Sequence, residues 1–192
     1  MTSQESANWL PEKIPPSPIS FEGPVAVLGM GKSGVAVAKS LEQRGVNVVV
    51  ADEQEAEALQ EPLAALAEIG VCAIAGIESF QQLGDPDLVV TSPGLPVDHH
   101  LLAAARARDI PVIGEIELAY RFCPVPIIAV TGTNGKGSTV TMIADMLAAA
   151  GIAHVVAGNI GVPFISVVDE CDEVDVAVVE VSSFQLETVH RF

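Results

Sequence analysis

Lys136 stands among glycines and hydroxyl residues in the run Thr131-Gly132-Thr133-Asn134-Gly135-Lys136-Gly137-Ser138-Thr139, between a β-branched stretch and a helical one. Glycines let backbone N–H groups close on phosphate oxygens, and the following helix N-terminus favours negative charge. In a bound triphosphate, Lys136 would neutralise β and γ oxygens, and a hydroxyl from Ser138 or Thr139 would reach a magnesium ion. The strict phosphate-loop spacing has four residues between its first glycine and Gly-Lys, and Val130 occupies the place of that glycine, which disfavours a simple GTPase or kinase. Farther on, Glu180 ends a strand, where a carboxylate can hold magnesium or position a reactive group. The acidic run 169–175 before it reads as a solvated turn.

A second constellation lies upstream. Gly29, Gly31 and Gly34 follow a strand, open a helix and precede Asp52 at the end of the next strand, which fits the dinucleotide fingerprint. It reads as a nucleotide or nucleotide-sugar site, with a tight turn and a solvated Asp52 as the plain alternative. Thr91-Ser92-Pro93-Gly94 ends a further strand on the same carboxyl edge, where Ser92 and the Gly94 backbone can close over one ligand.

These residues need parallel β-α units to hold them. The pattern places strands at Val25 to Leu28, Val46 to Ala51, Val71 to Ala75 and Leu88 to Thr91. Helices fill Gly34 to Arg44, Glu55 to Ile69 with a restart near Pro62, and His99 to Arg108. Any helix through Glu115 to Phe122 is broken at Cys123-Pro124-Val125-Pro126, which sets a domain boundary after residue 123. A second unit follows: a strand at Ile127 to Val130, a helix from about Gly137 to Ala150 with inward Val140, Ile143, Leu147 and Ala150, then strands at His154 to Val156 and Val176 to Val181, with a short helix between them and another starting at Phe184. The expected organisation is a flexible lead over 1–20, with Trp9-Leu10 as a docking element, a Rossmann-like domain over 21–123 and an incomplete triphosphate-binding domain over 124–192.

Composition excludes several classes. With 192 residues, 49% apolar and 18% charged, the chain supports one or two compact domains. Twenty-five acids against nine bases leave a charge of −16, which repels nucleic acid. Cys72, Cys123 and Cys171 form neither disulfide spacing nor metal pairs and suit a reducing cytosol. No secretory leader or membrane-length apolar run is present, so a soluble cytoplasmic protein is expected. His99-His100 and His154 have no partner at metal-ligand spacing and read as structural or solvated, and His190 is assigned no role. Met30 reads as a packing residue, and Ser182-Ser183 as a helix cap.

The segment Thr131 to Lys136 resembles the ATP loop of the Mur ligase and folylpolyglutamate synthetase superfamily. Ala157-Gly-Asn-Ile-Gly161 and Glu180-Val-Ser-Ser-Phe-Gln-Leu-Glu187 narrow the resemblance to the D-glutamate-adding branch, from about Val25 to the end. The fold implied is α/β: a Rossmann-like parallel sheet domain followed by the start of a P-loop Mur ligase central domain. Lys32, Ser33, Asp52, Ser92 and Gly94 then fall on uridine-diphosphate contacts and Asn159 on the muramoyl-alanine part. ATP falls to Lys136 and the loop from Thr131 to Thr139, and Mg2+ to Glu180 and Ser138. Gly137 departs from the Ser or Thr that the ligases place after the lysine, which leaves the metal hydroxyl open between Ser138 and Thr139.

The resemblance implies an ATP-dependent ligase of peptidoglycan synthesis that joins D-glutamate to UDP-N-acetylmuramoyl-L-alanine, monomeric, with no nucleic-acid or membrane partner. The family's D-glutamate site, second metal histidine and carbamoylated lysine fall beyond Phe192. The chain is therefore expected to be a truncated part that binds the UDP-sugar without turnover. Two other classes stay open on the residues: an NAD-dependent oxidoreductase, which leaves the Lys136 loop unexplained, and a non-catalytic nucleotide-sugar module.

Overall fold

The computed structural model describes residue 19 and residues 21–159 and 161–192. The expected lead with Trp9-Leu10 falls, except for Ile19, outside the described residues, as does Ile160. A five-stranded parallel sheet comes first. It contains β1 (Val25–Leu28), β2 (Val48–Asp52), β3 (Cys72–Ala75), β4 (Leu88–Thr91) and β5 (Val112–Gly114), in the order β3-β2-β1-β4-β5. Between the strands run α1 (Lys32–Gln43), α2 (Gln60–Glu68) and α3 (His100–Arg106), and α4 (Glu115–Phe122) leaves the sheet. A three-stranded parallel sheet follows, with β6 (Ile127–Val130), β7 (His154–Gly158) and β8 (Val176–Glu180) in the order β6-β8-β7. Its helices are α5 (Lys136–Ala149), a 3₁₀ segment over Phe164–Glu173, and α6 (Ser183–Leu186).

The strand β5 was not among the expected ones, because three residues behind Pro111 are too short to show a period. Strands β2 and β3 begin later than expected, at Val48 and Cys72, for a capping reason. The N–H of Val46 donates back to Leu41 O, and that of Val71 to Leu66 O. Gly45 and Gly70, both at φ 71°, make these left-handed helix ends possible. Pro62 sits in the first turn of α2, where its missing N–H costs nothing. Of the expected stripe on α5, Val140, Ile143 and Leu147 pack against the sheet. Ala150 is instead exposed, because it lies past the last helical residue as the C-cap. The acidic run 169–175 is solvated as expected but begins inside the 3₁₀ segment rather than a plain turn, and Asp169 pairs with Arg44.

One apolar core joins the two sheets. It runs from Val25, Val27 and Val50 through Leu41 of α1 and Ile116 and Leu118 of α4 to Phe164, Ile165 and Val168, and ends under Ala177 and Val179 of β8. The opposite face of the first sheet is closed by Leu101 and Leu102, and that of the second by Val140 and Leu147. Among the described residues no helix is long and apolar enough to cross a membrane.

Two carboxylates of α4 are buried in this junction. Glu115, 2% exposed, accepts the N–H of Ile165 at 2.8 Å. Burial pushes its carboxyl up to about 7, against the pull of backbone bonds from Ile165 and Phe164. A group held above its unfolded value stabilises fully below that value and loses its contribution as pH rises through the folded one. Chain stability is therefore expected to fall by on the order of 3 kcal/mol between about pH 4.5 and 7 on account of Glu115. Urea unfolding of Glu115→Gln across that window checks this: the variant should show a flatter profile, and an unchanged slope would refute the assignment.

Candidate functional site

The first glycine loop is shaped by close packing. A side chain at Gly34 would place its Cβ 1.9 Å from the Gly29 carbonyl oxygen, and one at Gly29, whose φ is +100°, 2.7 Å from Ser92 Cβ. Loop, helix start and the Ser92 turn thus press together without side chains between them. Gly31 caps α1 with no side-chain bond, so the first-turn amides have no side-chain acceptor there. Asp52 ties the loop to β2, since its Oδ2 accepts the N–H of Met30 at 2.8 Å and its Oδ1 the N–H of Gln54 at 3.0 Å. Met30 itself is buried, as expected of a packing residue.

Gly29, Gly31, Asp52, Ser92 and Gly94 line one cleft of about 380 Å³ at the carboxyl edge of the sheet. Lys32 does not line that cleft. It is exposed and borders a neighbouring groove of about 460 Å³, with Lys39, Gly31 and Ser166. Ser33 is half-buried in the first turn of α1 and lines neither hollow. Gly31 belongs to both, so the two hollows meet at the helix start.

The second loop leaves β6 and enters α5 through Gly132 (φ 150°) and Gly135 (φ 77°). Lys136 opens the helix and reaches back, donating from Nζ to Gly132 O at 2.9 Å, which puts its charge over the loop. Thr139 Oγ1 donates to Gly135 O at 2.9 Å, so that hydroxyl proton is turned into the helix. Ser138 is exposed one residue earlier, and Thr131, Thr133 and Asn134 are exposed along the loop.

Glu180 ends the central strand of this sheet, 4% exposed. A Cβ on Gly137 would lie 3.4 Å from Glu180 Oε2, which places the carboxylate beside the first turn of α5. Asn159 Nδ2 donates to Glu180 Oε1 at 3.5 Å, and the Asn159 N–H to Glu180 O at 2.8 Å. Lysine, helix-start amides and a buried carboxylate with an amide beside it therefore converge at one strand end. Such a set suits a hard divalent cation carried on phosphate oxygens. Ser182 caps α6, its Oγ accepting the Gln185 N–H at 3.2 Å, which accounts for the serine pair without a nucleophile.

Sequence reading missed two groupings. Glu53 meets His99 and His100, with Nε2 of His99 3.0 Å from Oε2 and Nδ1 of His100 3.4 Å from Oε1. Only the parallel sheet brings those distant positions together. The burial of Glu115 and Glu117 had a signal: two acids with one residue between them, in the apolar stretch EIELAYRF, cannot both face away from a helix's packed side.

The Mur ligase MurD-like N-terminal domain family matches residues 23–114, and the Mur ligase middle domain family matches residues 130–192. The UDP-N-acetylmuramoylalanine--D-glutamate ligase of Koribacter versatilis is 43% identical over 168 residues, covering 88% of this chain and 37% of that protein. Its namesake in Psychrobacter arcticus is 44% identical over 163 residues, covering 85% of this chain and 33% of that protein. The chain thus spans about a third of the length of these curated relatives. Among solved structures, the UDP-N-acetylmuramate:L-alanyl-gamma-D-glutamyl-meso-diaminopimelate ligase from Neisseria meningitides superposes with a TM-score of 0.50 at 18% identity, over 82% of this chain and 52% of that one. That likeness concerns the fold alone.

Proposed function

This chain belongs to the Mur ligase family, and on that premise we propose that it carries the nucleotide-handling residues of a cytoplasmic ligase joining D-glutamate to UDP-N-acetylmuramoyl-L-alanine in peptidoglycan synthesis. Residues 21–123 take the UDP-sugar, and 124–192 begin the ATP-binding part. The observation that carries the reading is the convergence of Lys136, Asn159 and Glu180 at the end of β8, beside the loop that opens α5. The choice of D-glutamate follows the relatives' name and no residue described above.

A carboxylate is a poor electrophile, so amide formation needs it activated. The substrate carboxylate attacks the γ-phosphorus of ATP, giving an acyl phosphate and ADP, and the amine of D-glutamate then displaces phosphate. Lys136 and the loop amides hold the triphosphate and offset its charge, largely by positioning. Magnesium, when bound, supplies charge neutralisation at the phosphate oxygens, and Glu180 with the Ser138 hydroxyl are the oxygen donors that would hold it. Asn159 buttresses Glu180 and faces the muramoyl-alanine end. In the first sheet, the cleft of Asp52, Ser92 and Gly94 holds the uridine nucleotide, and Lys32 with Ser33 at the helix start takes the diphosphate.

Calorimetric titration with UDP-N-acetylmuramoyl-L-alanine, with NAD as competitor, tests this. The UDP-sugar should bind, NAD should not displace it, and the Lys32/Asp52 double alanine variant, checked for folding by circular dichroism, should bind at least about tenfold more weakly. Preference for NAD, or no UDP-sugar binding by folded chain, would reopen the oxidoreductase reading.

A further inference from the structure

We propose that Glu53, His99 and His100 form a site for a divalent transition-metal ion of the zinc class at the rim of the first-sheet cleft. Glu53 follows the last residue of β2, His99 caps α3 and His100 is its first helical residue. Their ligand atoms, one from each residue, all lie within 4.8 Å of one another. The two carboxylate oxygens are 3.0 Å from His99 Nε2 and 3.4 Å from His100 Nδ1. Ligands at about 2.0 to 2.2 Å from a tetrahedral zinc are separated by roughly 3.3 Å, so an ion fits among these atoms with small side-chain rotations.

The donor chemistry selects the ion. Two imidazoles and one carboxylate form the three-ligand set of open zinc sites, and imidazole nitrogen favours zinc, copper or nickel over magnesium or calcium. Glu53 and His99 line the cleft, while the His100 side chain is 58% exposed, so the ion is reachable from solvent and its open position borders the cleft. The −16 charge of the chain favours the approach of any cation.

Binding has an identifiable cost. His99 Nδ1 accepts the Leu101 N–H at 3.3 Å, which leaves the proton on Nε2. To present a bare Nε2 the ring must move that proton to Nδ1 and give up this long bond, weakening the cap of α3. Three ligand bonds replace one marginal hydrogen bond and the two imidazole–carboxylate contacts. The site is independent of whether the cleft takes a UDP-sugar.

The test is titration of chelator-treated protein with zinc by calorimetry and with cobalt(II) by visible absorption, in a Cys72→Ser background because Cys72 is an exposed thiol. One ion per chain is expected, with cobalt bands of a low-coordinate site. Glu53→Gln and His100→Ala should each weaken binding at least about tenfold, while His154→Ala leaves it unchanged. His99→Ala is avoided because His99 caps α3, and circular dichroism confirms that each variant is folded. Absence of saturable binding up to about millimolar metal, beyond the affinity range of useful sites, would overturn the proposal. Binding that survives both Glu53→Gln and His100→Ala would overturn it equally.

Discussion

Gly158→Ala is expected to destabilise the chain by at least about 3 kcal/mol and to abolish any nucleotide site at the end of β8. Gly158 has φ 129°, a region that L side chains rarely adopt, and an added Cβ would fall 2.1 Å from the Glu180 carbonyl oxygen and 2.7 Å from its nitrogen. The strain and the collision strike the same spot, where β7 lies against β8 and where the Asn159 N–H reaches Glu180. Gly151→Ala is the control. Its φ is 71°, yet nothing lies within 4 Å of the new Cβ, so only the backbone strain of about 1 kcal/mol remains. Urea unfolding of both variants separates the two contributions, and equal losses would show that the contact with Glu180 is not what demands glycine.

Glu117→Ala is the second large effect, at about 3 to 5 kcal/mol, because it removes a fully buried charged acceptor and leaves Arg121 and three backbone N–H groups without it. Glu117 is fully buried, and its Oε2 accepts the N–H groups of His190, Arg191 and Phe192 at 2.8, 2.9 and 3.1 Å. Its Oε1 takes Nε and Nη2 of Arg121, each at 2.7 Å. Burial by itself would raise this carboxyl, but the bonds from Arg191, His190, Phe192 and Arg121 outweigh it and hold the group below the usual carboxylate range. Its sign is therefore opposite to that of Glu115: the contribution is present above the unfolded value and lost as pH falls through the folded one. Glu117→Ala should thus erase the acid limb of the stability profile, and Glu115→Gln the decline toward neutral pH. A Glu117→Ala chain that unfolds like the parent below about pH 4 and at neutrality alike would refute the role.

Most elements were legible because a doubly wound fold writes itself locally. Val25 to Leu28 is a continuous apolar run and Leu88 to Thr91 is one up to its last residue, since both faces of those strands are covered, and the observed strands have those same bounds. The glycine loops were legible for the same reason, as each marks a strand end turning into a helix. What stayed hidden was set by tertiary packing. Val112–Gly114 joins the sheet only because β4 is there to pair with it. Asp52 reads as a ligand group along the chain, and only the structure shows that its oxygens also hold backbone N–H groups of its own fold. Lys32 and Asp52, read as one site, border two adjoining hollows, because the lysine projects from α1 on the side of Lys39 and Ser166. The meeting of Glu53 with His99 depends on the end of β2 and the start of α3 lying together at the carboxyl edge of the sheet, which no spacing along the chain reveals.

The strand order of the second sheet also carries a consequence for synthesis. Among the described residues β6 and β7 are not paired with each other, and each forms its ladder with β8, which is made after both. As the chain leaves the ribosome, two apolar strands and the face of α5 that covers them must wait without partners until Val176–Glu180 emerges. In that interval they are open to mispairing with other nascent chains. Glu180 pairs with both Val130 and Gly158, so the strand that joins β6 to β7 is also the one that brings the carboxylate beside the Lys136 loop.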